Sequence, residues 1–149
     1  SGTLRHLPGV WGPSGGEAWA VGESGTILRW NGTAWASVSS GATNRLSGGV
    51  WGSGPSDLWA VGSAGAILRW NGTAWASVSS GTTSYLWDVH GSGPTDVWTV
   101  GEGGTILRWA GATWAPISSG TTGLLLGVWA NGPSEAWAVG EGGGAPRRP

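Results

Sequence analysis

The chain of 149 residues has no cysteine, which excludes disulfides and thiolate metal sites and leaves the redox compartment open. Phenylalanine and methionine are missing as well, and only 10% of residues are charged. A chain so poor in charge hides most of its side chains or assembles with others. Its formal net charge of −1 gives no electrostatic reason to expect nucleic acid or an anionic membrane as partner. Long hydrophobic runs are lacking too. The longest apolar stretch, residues 124–130, contains a glycine and is far too short to span a bilayer, so membrane insertion is not expected. The first residues carry no signal-peptide pattern, which still fits a mature or trimmed piece of a secreted protein.

What the chain does have is tryptophan, 14 of them, together with 31 glycines. Thirteen of the tryptophans recur in register every 39 or 40 residues, so one short unit is copied about three and a half times. A Trp followed by Ala-Val-Gly or Thr-Val-Gly falls at Trp19, Trp59, Trp98 and Trp137. A second marker is Trp30, Trp70 and Trp109, each followed five residues later by Trp35, Trp75 and Trp114. A third opens the unit at Trp11, Trp51 and Trp129, with His90 where the next Trp belongs, and Trp87 alone lies outside the pattern. The longer repeat has Leu-Ser-Gly-Gly-Val at 46–50 in place of Leu-x-x-Val, which predicts a bulge.

Within the second copy the punctuation predicts four strands, at 46–52, 57–61, 66–70 and 74–78. Turn chemistry at 53–56, a tight turn at 62–65 and the hairpin signal Asn71-Gly72 separate them. Both faces of 58–61 are apolar, so the sheet must be covered on both sides. A four-stranded meander of about forty residues, stacked face to face on its copies, is the blade of a β-propeller. The expected blades are about 4–40, 41–80 and 81–119, with a half blade at 120–141 and a non-repeat tail at 142–149. In that tail, prolines at 146 and 149 replace the expected Thr-Ile-Leu-Arg-Trp, and no third strand is expected there.

The unit D-[LV]-W-[AT]-V-G-x-x-G-x-I-L-R-W-x-G, present at 57–72 and 96–111, resembles the tectonin-type repeat and related Trp-rich bacterial β-propellers. The resemblance spans residues 4 to 141 and rests mostly on core positions, which makes it specific for fold and weak for function. It implies a carbohydrate-binding, lectin-like module and an extracellular or cell-surface location. The Gly-His and Trp-Asp signatures of the WD40 type are absent, as is the Ser-x-Asp-x-Gly-x-x-Trp box of the sialidase type.

A ring normally needs roughly 4–8 complete blades. Three and a half leave apolar faces open, so closure by oligomerisation is expected, with a dimer of eight units favoured. The repeated acids Glu17, Asp57, Asp96 and Glu135 stand one per blade, too far apart to bracket one reacting bond, and read as acceptors for the neighbouring turn. Arg29, Arg69 and Arg108, each before a Trp, read as partners of a ring or of the repeated acid. His6 and His90 are unpaired, and the Gly-rich turn at 101–104 lacks the Lys and helix start of a phosphate loop. No metal, cofactor or enzymatic activity is expected.

For glycan binding, the candidate plates are Trp35, Trp75 and Trp114, each just after a hairpin near the outer strand. Asn31, Asn71, Arg69 and Thr73 are the candidate polar contacts. The main reading is a multivalent glycan-binding module with repeated weak sites. The alternative is a self-assembling propeller fragment or scaffold, or a domain that docks protein partners.

Overall fold

Runs of Trp, Val, Ile and Leu too short for helices, each closed by glycine, fold here into antiparallel meanders. The computed structural model describes residues 9–12, 17–46, 48–132, 134–141 and 147–148. Blade 1 comprises β1 (Gly9–Trp11), β2 (Ala18–Val21), β3 (Ile27–Trp30) and β4 (Trp35–Ser37). Blade 2 comprises β5 (Val50–Gly54), β6 (Asp57–Val61), β7 (Ile67–Trp70) and β8 (Trp75–Ser77). Blade 3 follows as β9 (Leu86–Gly93), β10 (Asp96–Gly101), β11 (Ile106–Trp109) and β12 (Trp114–Pro116). Blade 4 holds β13 (Leu125–Gly132), β14 (Glu135–Gly140) and β15 (Arg147–Arg148).

Every sheet runs in chain order, and the first strands β1, β5, β9 and β13 pack side by side. Blades that converge at their first strands and splay at their fourth form an arc of a β-propeller, as the repeat predicts. The second strand of blade 2 begins and ends where expected. The expected bulge is also present: the amide of Gly48 donates to the Val61 carbonyl and that of Val61 to the Gly49 carbonyl, so two residues face one. As a result β5 starts at Val50, four residues later than its sequence suggests.

The tail requires a correction. Arg147 pairs with Trp137 and Arg148 with Ala136, which is the register that Arg108 and Trp109 hold against Trp98 and Val97. Two residues fit between the prolines at 146 and 149, and a strand that short loses no ladder donor to either. Arg147 thus stands at the arginine position of the repeat and Arg148 where Trp109 stands in blade 3. The expected start of the first blade, including His6, lies outside the described residues.

Three joints between blades hold the core. Trp19, Val21 and Ile27 of blade 1 pack on Leu46, Val50, Leu58, Trp70 and Trp75 of blade 2. Trp59, Val61 and Ile67 meet the equivalent set in blade 3. The third joint is built without a tryptophan pair: Trp98, Val100 and Ile106 pack on Leu125, Val128 and three alanines.

The 3-10 turn after the second strand of each of the first three blades ties the blades together. In blade 2 the amide of Ser63 donates to the Arg45 carbonyl of the incoming linker (2.9 Å), while Leu86 of the outgoing linker donates to the Gly62 carbonyl (3.0 Å). Gly62 must be glycine because a Cβ there would overlap the Arg45 carbonyl.

Candidate functional site

The repeated acids and arginines meet across the sheet. In blades 1–3, Glu17 directly precedes the second strand and Asp57 and Asp96 open theirs, while Arg29, Arg69 and Arg108 lie on the adjacent third strand, directly opposite the buried Trp. Asp57 accepts from Arg69 at 2.9 Å and Asp96 from Arg108 at 2.9 Å, and Glu17 pairs with Arg29 in the same way. Glu17, Asp57 and Asp96 therefore accept from arginine, with Ser53 and Ser92 hydroxyls as second donors to Asp57 and Asp96, and Glu135 accepts from Asn131. Each guanidinium also covers a ring: Arg69 lies 4.8 Å from Trp59 and 5.4 Å from Trp109 of the next blade. Arg29 does the same with Trp19 and Trp70.

The expected glycan plates are placed otherwise. Trp75 and Trp114 are buried, because the outer strand folds its ring under the Trp of the preceding blade. Trp75 meets Trp19 edge-on at 5.6 Å and Trp114 meets Trp59 at 5.1 Å. Trp35 is half-buried against Trp30. Asn31 and Asn71 are occupied as turn caps, their Oδ1 accepting the amides of Thr33 and Ala34 and of Thr73 and Ala74. Thr73 is exposed in that hairpin, and Arg69 is held by Asp57. The structure thus distributes these seven residues over two blades and a third outer strand and does not converge them on one surface.

A different set does converge. The third tryptophan marker lies on the first strands, where the blades meet. Trp11 pairs across the sheet with Trp19, Trp51 with Trp59, His90 with Trp98 and Trp129 with Trp137, so Trp11, Trp51 and His90 lean toward the following blade and Trp129 takes the same face of blade 4. The receiving residue is glycine: a Cβ on Gly52 would sit 2.9 Å from Trp11, and one on Gly91 2.7 Å from Trp51. Where His90 replaces Trp, the receiving residue is Ala130, whose amide donates to His90 Nδ1 at 2.9 Å. Ring centroids step from Trp51 to His90 in 6.0 Å and from His90 to Trp129 in 5.9 Å. Trp11, Trp51 and His90 are half-buried and Trp129 is exposed, which leaves a partly open aromatic ladder across the inner strands.

Polar groups enter this ladder in blade 3. Asp88, two residues before His90, accepts the Val128 amide at 2.9 Å. Burial pushes its carboxyl above the ordinary value, opposed by backbone hydrogen bonds from Val128 and Val89. Burial pushes His90 the other way, below 6.5. Because Nδ1 accepts, the neutral ring carries its proton on Nε2 and presents one donor.

Folded His90 thus binds fewer protons than unfolded histidine. Its stability contribution is complete above 6.5 and is lost as pH falls below that value toward the lowered folded value. Wild type is expected to melt at lower temperature near about pH 5 than near about pH 7.5, and His90→Asn to lose most of that difference. Asp88 works in the opposite sense: its contribution is complete below 3.8 and fades as pH rises through its raised folded value.

A cleft of about 880 Å³ lies away from the ladder, between the linker after blade 2 and the outer strand of blade 3. Its hydroxyls are spent on their own linkers, Ser80 on Thr82 and Ser119 on Thr121. Sequence reasoning missed the ladder although its signal was present, as the one marker in which a tryptophan is exchanged for histidine. Among the described residues no group of three or more His, Cys, Asp and Glu is placed to hold a metal.

No family model matches the sequence, and no curated protein does. Among solved structures, YCF48 from Cyanidioschyzon merolae superposes with a TM-score of 0.76 at 19% identity, over 97% of this chain and 51% of that one. A structure of YCF48 bound to D1 peptide superposes with a TM-score of 0.67 at 19% identity, over 96% and 48%. The likeness shows the fold, a β-propeller, and the chain spans about half the length of these neighbours.

Proposed function

We propose that this chain is a protein-interaction β-propeller segment that binds an extended peptide along the ladder Trp11, Trp51, His90 and Trp129. The ladder carries the reading: partly open aromatic faces repeat in steps of 6.0 and 5.9 Å. Side chains on one face of an extended strand recur about every 6.6 Å, so alternate apolar residues of a peptide meet successive rungs. The Nε2 donor of His90 supplies one polar contact among the apolar ones. A structural neighbour of the same fold has been solved with a peptide bound, which supports peptide over glycan as the ligand.

With a net charge of −1 the chain offers little steering, so affinity is expected to change little with salt. The test is a screen of extended peptides with alternating apolar residues, followed by titration of wild type and Trp51→Ala. Binding that weakens by about tenfold or more on losing Trp51 supports the reading. Capture of glycans with no peptide bound, or peptide affinity indifferent to Trp51, would replace it.

A further inference from the structure

Asp88 stands at a position that is glycine in the other blades, Gly9, Gly49 and Gly127, two residues before the ladder rung of each. The exchange falls in the same blade as His90, so both departures from the repeat share one strand face. Both accept amides of blade 4, Asp88 that of Val128 and His90 that of Ala130, at 2.9 Å each. Val89 gives the carboxylate a second backbone donor.

What Asp88 lacks is a positive charge. The chain has no lysine. Arg29, Arg69 and Arg108 are held by Glu17, Asp57 and Asp96, and Arg45 lies 3.3 Å from Glu23. Among the described side chains no arginine pairs with Asp88, which is half-buried at the centre of the arc. Such a carboxylate has already lost much of its water, so a cation brought by a ligand gains more there than at an exposed acid. There is room for one. A Cβ on Gly49 of blade 2 would lie 3.7 Å from Asp88 Oδ1 and, its own chain neighbours aside, would meet no other described atom within 4 Å. An imidazole is also smaller than the indole it replaces, which notches the ladder at this rung.

Resting on the peptide reading above, we propose that Asp88 selects the ligand's sequence: the peptide residue over His90 is lysine or arginine, flanked at alternate positions by apolar residues on the neighbouring rungs. Asp88 lies two residues along β9 from His90, about 6.6 Å off the line of rungs. A short side chain stops over the imidazole, whereas a long stem lies along it and carries its charged head to the carboxylate. The pair is partly sheltered, so salt screens it weakly.

The test uses N-acetylated peptides, which offer no terminal ammonium, with alternating apolar residues around a central Lys, Gln or Glu. Each is titrated against wild type, Asp88→Asn and Trp51→Ala. Asparagine keeps the size of the side chain and a carbonyl oxygen for the Val128 amide, and an unchanged near-ultraviolet spectrum checks the fold. On wild type, a comparison that needs no variant, the Lys peptide is expected to bind tighter than the Gln peptide by about tenfold or more, with the Glu peptide weakest. Asp88→Asn is expected to bring the Lys-to-Gln ratio to about one while the Gln peptide keeps its affinity within about twofold.

Equal affinity of wild type for the Lys and Gln peptides would overturn the proposal, as would a Lys preference that survives Asp88→Asn. In either case the ladder is judged separately, by whether the Gln peptide weakens on Trp51→Ala. Wild type that binds none of the three peptides would overturn both.

Discussion

Replacing Trp59 by alanine is expected to cost about 3–5 kcal/mol, a large share of the stability of a domain this size. The ring is fully buried at the second joint, tilted against Trp109 at 5.0 Å, edge-on to Trp114 and roofed by Arg69. Its Nε1–H meets no acceptor among the described residues, so the loss is one of packing with no orphaned partner. Rigid strands on either side cannot collapse into the cavity. The paired variant is Trp137→Ala at the same repeat position, where the ring is 39% exposed and the expected cost in the single chain is about 1 kcal/mol or less. Urea unfolding of both compares one sequence position in two environments. Equal midpoints would mean that the joints do not carry the stability assigned to them.

Gly65→Ala is expected to be nearly as damaging, by about 2–5 kcal/mol, through the backbone. Gly65 sits at φ +73° in the turn after β6, where an L side chain is strained, and its Cβ would overlap the carbonyl of Thr82. Thr82 belongs to the linker that leads into blade 3, so the turn must yield or the linker must lift. The preceding residue shows that a positive φ alone is tolerated, since Ala64 holds φ +57° with its side chain exposed. What distinguishes Gly65 is the carbonyl above it. The measurement is again the unfolding midpoint, together with protease cleavage of the linker at 79–85. A variant as stable and as resistant as wild type would show that the linker is not held by this turn.

The architecture was legible in the sequence because a propeller repeats its core, and Trp59, Val61 and Ile67 recur with their neighbours at a fixed interval. The acid and arginine were legible as repeats but not as partners. Their meeting depends on the register of β6 against β7, which places Arg69 opposite Trp59 and beside Asp57. The candidate plates were misplaced for a related reason. Trp75 follows a hairpin on the outermost strand, a position that reads as rim, yet the ring turns inward and fills the joint with the previous blade. Periodicity states which residues are equivalent and does not state which face they occupy. Blade 1 makes the point, since among the described residues no preceding blade covers Trp35, which is correspondingly more open than Trp75 and Trp114. The strand at Arg147 and Arg148 was hidden by composition, and only the pairing to β14 reveals it as the continuation of the repeat.

The tilted ring pairs that span the joints have an optical consequence. Trp19 with Trp70 and Trp59 with Trp109 lie 4.9 and 5.0 Å apart at 56° and 57°, two nearly identical chiral arrangements of indole transition dipoles. Dipoles this close mix their excited states, and both pairs contribute an exciton couplet of the same sign to the circular dichroism. Neither couplet belongs to a single sheet, because each needs rings from two successive blades. A chain whose blades part while their strands stay paired would lose these two couplets, keep the coupling of in-sheet pairs such as Trp70 with Trp75 at 5.9 Å, and keep its β spectrum. The third joint, with Arg148 where the next indole would stand, adds no such pair, so the signal reports the first two of the three joints.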